Sequence, residues 1–130
     1  MEINGIAHVV LTAGDFARTR AFYGELLPFL GLAPVIDAPE FFYCVGGRTA
    51  FGIRPADRAH AGESFSQGRP GLHHVCFRLR SREEIDALHA FLVARDAAIV
   101  HPPEEAAFAP GYYSVLFEDP DGIRLEANFV

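Results

Sequence analysis

Three side chains of this 130-residue chain stand where the surrounding pattern calls for something else: His8, His74 and Glu126. Over residues 123–129, Ile123, Leu125, Ala127 and Phe129 alternate with Arg124, Glu126 and Asn128, which is the period of a strand with one apolar face. Glu126 therefore sits mid-strand on the opposite face. An unpaired carboxylate would be costly if that face is enclosed, so Glu126 needs a partner. Arg124, two residues away on the same face, and Arg78 are ion-pair candidates, since such a spacing is about 7 Å. His8 breaks residues 6–11 in the same way, with Ala7, Val9 and Leu11 on one face and Ile6, His8 and Val10 on the other. His74 does so in residues 71–79, sharing a face with Cys76 and Arg78 while Val75, Phe77 and Leu79 point away.

The elements that must position these residues follow a repeated order. After the first strand, Asp15 caps an expected helix over residues 16–27, where Phe16, Thr19, Tyr23, Leu26 and Leu27 recur at helical spacing and Pro28 closes the pattern. Short strands over 32–36 and 41–45 follow, then a Gly46-Gly47 hairpin signal and a strand over 49–54. Residues 55–70 carry Gly, Ser, Pro and charge without apolar periodicity, and read as a linker or surface loop.

The order then recurs. The strand bearing His74 leads to a capping box, Ser81 to Glu84, opening a helix with Ile85, Leu88, Phe91 and Leu92 on its apolar side. A short strand over 98–100, a loop at 102–105, a strand over 112–117 and the turn Asp119-Pro120-Asp121-Gly122 lead into the strand of Glu126. His8 and His74 are 66 residues apart, as are the caps Asp15 and Ser81. The chain is thus a duplicated strand-helix-strand-strand-strand unit, module one over 1–54 and module two over 71–130 of a single domain. An α+β fold is expected, of two tandem βαβββ modules with curved mixed sheets around a cavity and one helix per module on the outer face. His8, His74 and Glu126 all fall on the face away from the helices.

Composition narrows the function classes. Half of the residues are hydrophobic, the formal net charge is −6, and all eleven basic residues are scattered arginines, so a nucleic-acid partner is not expected. Residues 1–5 lack the basic and apolar regions of a signal peptide, and no apolar run would span a bilayer; a soluble cytoplasmic protein is expected. Cys44 and Cys76 are too few for a disulfide scaffold and read as packing residues.

In this order and spacing, Ile6-Ala7-His8-Val9-Val10, residues 21–27 (AFYGELL), Leu72-His73-His74-Val75-Cys76-Phe77 and Asp119-Pro120-Asp121-Gly122 with Glu126 resemble the vicinal oxygen chelate superfamily. That superfamily contains glyoxalases, bleomycin-resistance proteins, fosfomycin-resistance enzymes and extradiol dioxygenases. The resemblance implies a divalent metal held by first and last strands, here His8, His74 and Glu126. The fourth family position falls at Phe51 by alignment of the hairpin glycines, or at Gly52 with a slip of one residue. Neither is a side-chain ligand. Two histidines and one carboxylate suit Fe(II) or Mn(II), and Zn(II), Co(II) or Ni(II) can occupy similar ligands.

The resemblance implies an enzyme, a lyase, isomerase or dioxygenase, whose metal polarises adjacent oxygens of a small, partly apolar substrate. A glyoxalase I isomerisation calls for the missing fourth ligand. An extradiol dioxygenase shares the three-ligand set, but Leu116 stands where that branch places a tyrosine. Fosfomycin resistance would need a cationic cluster that a chain without lysine lacks, and drug-sequestering relatives usually lack the metal ligands. Tyr113 or a metal-bound hydroxide is the expected base, and Arg124 the expected cation beside an anionic group. His73 is expected to point to the helix side. Among Phe41, Phe42, Tyr43, Phe51, Tyr112 and Tyr113, alternation puts some rings on the cavity face, which suits an apolar or aromatic substrate. The family also implies a homodimer.

Overall fold

The computed structural model describes residues 1–130. It is an α+β fold of two tandem βαβββ modules, which form two compact units, Met1–Ser64 and Phe65–Val130. Unit 1 consists of β1 (His8–Ala13), α1 (Phe16–Phe29), β2 (Ala33–Ala38), β3 (Phe41–Gly46) and β4 (Thr49–Pro55). Unit 2 repeats the order with β5 (Val75–Arg78), α2 (Arg82–Val93), β6 (Ala98–Glu105), β7 (Tyr113–Glu118) and β8 (Arg124–Phe129). Each sheet is mixed: β1-β4-β3-β2 and β5-β8-β7-β6, with the first and last strands of each module parallel and the other pairs antiparallel.

The helices begin where their caps require. Asp15 accepts from the Arg18 N–H at 3.0 Å, and Ser81 from the Glu84 N–H at 3.3 Å, while the Glu84 carboxylate reaches back to the Arg80 N–H at 2.7 Å. Helix α1 extends through Pro28 to Phe29 rather than stopping before the proline. Pro28 has no N–H to give the Gly24 carbonyl, but the turn is closed beyond it, where the Leu30 and Leu32 N–H groups reach the Leu26 and Leu27 carbonyls at 2.9 Å.

One face of each sheet packs on its own helix. In unit 1, Tyr23, Leu26 and Leu27 from α1 are buried with Leu11, Phe42, Phe51 and Ile53. In unit 2, Ile85, Leu88 and Leu92 from α2 are buried with Val115, Phe117, Leu125 and Ala127. Each Leu, Ile, Val or Phe among them contributes about 1.5–3 kcal/mol when fully buried, so these faces dictate which way every strand is turned.

Two stretches differ from their expected form. Residues 102–105 belong to β6, an edge strand, and the register shifts between His101 and Glu104 accommodate Pro102 and Pro103, which cannot donate to a ladder. Residues 55–70 contain a single 3-10 turn, Arg58–His60, and are tied at both ends. Ala56 and Gly62 donate to Ala13 and Gly14 at 2.8 Å, Phe65 donates to the Asp121 carbonyl at 2.8 Å, and the Gln67 amide to the Gly122 carbonyl at 2.7 Å.

Arg20 of α1 clamps Asp37 of β2 with two bonds, Nε to Oδ1 at 3.0 Å and Nη2 to Oδ2 at 2.6 Å, while its guanidinium lies 3.6 Å above the Phe42 ring. The Arg20 bond holds the Asp37 carboxyl below its usual pKa. The folded state thus favours the carboxylate, and the resulting stability is present at neutral pH and lost as pH falls through that lowered pKa. Asp37→Asn should lower the melting temperature slightly at neutral pH, and thermal melts of variant and wild type should converge on acidification.

Candidate functional site

The helix-averted face of unit 2 is defined by strand register. β5 pairs with β8 through Cys76↔Glu126, and β7 with β8 through Leu116↔Glu126, so Cys76, Leu116 and Glu126 share one face with Ser114, Arg124 and Asn128. The register is set by the hairpin. Asp119 Oδ1 accepts from both the Asp121 and Ile123 N–H groups at 2.9 Å, and Gly122 takes φ +83°, which only glycine adopts without strain.

On this face Glu126 is 9% exposed, and both of its oxygens are engaged. The Tyr112 hydroxyl donates to Oε1 at 2.5 Å, and His74 Nε2 lies 3.2 Å from Oε2. On the far side of its ring, His74 Nδ1 is 2.8 Å from His73 Nδ1. One of these nitrogens donates and the other accepts, so the His73 proton position decides whether His74 Nε2 carries a hydrogen. Burial, and then the bond to Glu126, push the Tyr112 phenol up to about 12. Desolvation, and then the Glu126 charge, push the Cys76 thiol up to about 11, which keeps it protonated; it is exposed, and so not the packing residue expected of it.

The Nε2–Oε2 spacing suits two neighbouring ligands of one ion. Donor atoms about 2.0–2.2 Å from a shared metal lie roughly 3 Å apart. The pair fits a divalent cation in residue type and spacing, and its outer contacts, Tyr112 on the carboxylate and His73 on the imidazole, are of the kind that orient metal ligands. Two side chains do not complete a centre, and no group of three or more His, Cys, Asp and Glu stands together in the structure. Of the three expected ligands, His74 and Glu126 meet within unit 2. His8 opens β1 in unit 1, exposed, with its ring edge-on to Tyr43 at 6.4 Å between centroids.

Tyr113 is not at this cluster. Its partner across the ladder is Phe129, on the helix side, where its hydroxyl donates to Asp86 of α2 at 2.8 Å and the Arg82 guanidinium lies 4.8 Å from its ring centre. Its neighbour Tyr112 is the tyrosine at Glu126. Counting back from the Asp119 hairpin by twos through Leu116 and Ser114 would have selected it. Arg124 does lie on the Glu126 face, with Nε directed at Glu118 at 3.4 Å. His73, expected on the helix side, meets His74 instead.

The fourth family position is Gly52. In unit 1, Val10 pairs with Gly52 as Cys76 pairs with Glu126 in unit 2, whereas Phe51 points to the helix, 5.3 Å from the Tyr23 ring. A Cβ at Gly52 would lie 2.6 Å from the Tyr43 ring and 3.4 Å from the Phe41 ring. The two rings stack at 5.4 Å over the space that a carboxylate would need.

A family model described as the Glyoxalase/Bleomycin resistance protein/Dioxygenase superfamily matches residues 5–127. The chain belongs to that superfamily. Among curated proteins, the uncharacterized protein YqjT of Bacillus subtilis (strain 168) is 26% identical over 92% of this chain and 94% of its own. Among solved structures, a candidate glyoxalase from Bacillus halodurans is 27% identical, covers 98% of this chain and 96% of its own, and superposes with a TM-score of 0.85. A glyoxylase/bleomycin resistance protein/dioxygenase domain from Frankia sp. EAN1pec is 26% identical, with 98% of each chain covered and a TM-score of 0.76. A lactoylglutathione lyase from Agrobacterium tumefaciens, at 22% identity, 99% and 96% coverage and a TM-score of 0.72, shares the fold. As in this superfamily fold generally, the chemistry must be argued from the site.

The Tyr112–Glu126 bond can be read directly. The neutral phenol is favoured in the folded protein, so this bond supports stability through neutral pH and is lost as pH rises through about 12. Phenolate absorbance should show a tyrosine titrating near that value in the wild type, and Tyr112→Phe should remove that step. An unchanged titration curve would mean that Tyr112 is not held by Glu126.

Proposed function

We propose that this member of the superfamily is a divalent-metal-dependent cytoplasmic enzyme acting on a small, oxygen-bearing, partly apolar molecule, and that it works as a homodimer. The observation that carries this reading is the buried Glu126 carboxylate, held by Tyr112 on one oxygen and directed by the other at His74 Nε2. His74 and Glu126 form the core of the ligand set and His8 supplies its third member. Two histidines and one carboxylate leave open positions for water or a bidentate oxygen ligand, a set suited to Fe(II) or Mn(II) and open to Zn(II), Co(II) and Ni(II). Bound there, the ion would polarise adjacent oxygens and stabilise negative charge developing on them.

The chain's own residues have separate tasks. Tyr112 fixes the carboxylate rotamer and stays a neutral donor. His73 accepts the Nδ1 proton of His74, which frees Nε2 as a lone-pair donor. Arg124 keeps N–H groups beyond the one directed at Glu118, and these can steady an anionic group on the Glu126 face. Tyr113 has no part in the proposal, because its hydroxyl is committed to Asp86.

The glycine at position 52 favours a three-ligand reaction over a four-ligand isomerisation of the glyoxalase I kind. The second reading is therefore an extradiol-type dioxygenase, which uses the same three ligands. A non-catalytic drug-binding role is favoured only by the rings of Phe41 and Tyr43 over Gly52.

Metal analysis after reconstitution should find a bound divalent ion in the wild type. Glu126→Ala, His74→Ala and His8→Ala should each abolish or severely weaken its retention, and Tyr112→Phe should weaken affinity by about 10–100-fold. A wild type that takes up no ion would end the enzyme reading. Oxygen uptake by the Fe(II) form with catechols distinguishes the dioxygenase: its absence across a catechol panel removes that branch.

A further inference from the structure

The helix-averted face of unit 1 bears no carboxylate at the Glu126 position, and a row of rings takes its place. His8 meets the edge of Tyr43, and Tyr43 stacks on Phe41. The row ends at a cavity of about 710 Å³ lined by Val10, Glu40, Phe41 and Arg54. Val10 and Arg54 share this face through the register of β1 with β4, Val10 opposite Gly52 and Thr12 opposite Arg54. Arg54 also borders a second cavity of about 360 Å³, with Thr12 and His60 among its walls. No hydrogen bond or ion pair within unit 1 engages the side chains of Arg54 and Glu40.

An apolar wall beside one unengaged guanidinium has a definite complement. The geometry points to a subsite for an aromatic carboxylate, its ring against Phe41 and Val10 and its carboxylate on the Arg54 fork. A guanidinium takes a carboxylate through two parallel N–H···O bonds, and the face of Phe41 left by Tyr43 accepts a flat ring. The volume is that of an ordinary small-molecule site. Glu40, in the turn before β3 and next to Phe41, repels a second negative charge and so selects a monoanion. That the bound acid is the substrate rests on the proposed function; the binding itself needs no metal.

The test uses the full chain and phenylacetate as probe, with phenylacetamide, 2-phenylethylamine and acetate beside it, followed by calorimetry and by chemical-shift perturbation. Phenylacetate should bind saturably and about tenfold or more tighter than phenylacetamide or acetate. Arg54→Met should weaken phenylacetate by about tenfold while leaving phenylacetamide unchanged, Arg54→Lys should fall between, and Glu40→Gln should retain binding. The same affinities should be found in chelator. Failure of phenylacetate to saturate, equal binding by Arg54→Met, or preference for the amine would overturn the subsite. If phenylacetate binds as described and no metal does, the subsite stands and the metal reading falls; the converse result removes the subsite alone.

Discussion

A carboxylate that is nine-tenths buried in the middle of a strand, with each oxygen engaged, constrains everything around it in unit 2. Its desolvation is offset only if both oxygens keep their partners. Tyr112 supplies one partner from the segment before β7 and His74 the other from the residue before β5, so three separate stretches must arrive together. The hairpin at Asp119 makes this possible. A slip of one residue between β7 and β8 would turn Glu126 toward α2 and bring Leu125 and Ala127 out of the core. The turn chemistry, the core and the site therefore depend on one register.

The two units show how one framework carries two chemistries. Each has the same strand order and the same parallel pairing of its first and last strands. At equivalent positions, however, unit 2 has Glu126 and unit 1 has Gly52, and the absence of a side chain at Gly52 is what lets Tyr43 and Phe41 lie across β4. Unit 2 thus presents a carboxylate beside its imidazole, while unit 1 presents aromatic rings, the His8 imidazole and the Arg54 guanidinium.

Much of this was legible in the sequence because it rests on local rules. Alternation around Glu126 and His74, the Asp15 and Ser81 caps, and the Asp-Pro-Asp-Gly turn each state their geometry within a few residues. Side-chain direction is harder to read where counting has to cross a turn. Aligning hairpin glycines put Phe51 at the fourth position, but the Gly46-Gly47 and Asp119–Gly122 turns differ in length, and ladder register, not turn chemistry, places Gly52 there. Parity from Leu116 puts Tyr112, not Tyr113, on the Glu126 face. The His73–His74 contact carries no periodic signal, since both residues precede β5, where alternation no longer governs side-chain direction. Pro102 and Pro103 in β6 were hidden for another reason: an edge strand can absorb, through shifts of register, residues that a central strand excludes.

The proposed metal binding rests on His74 and Glu126, with His8 proposed as the third ligand. Imidazole nitrogen resonances followed during a Zn(II) titration test it most directly, because they report ligation residue by residue. Of the six histidines, His74 and His8 should shift together and saturate at one equivalent. His73 should change only in its Nδ1 environment, and His60, His89 and His101 should be unaffected. Saturation with His74 unshifted, or with His60 and His101 responding in its place, would contradict the account.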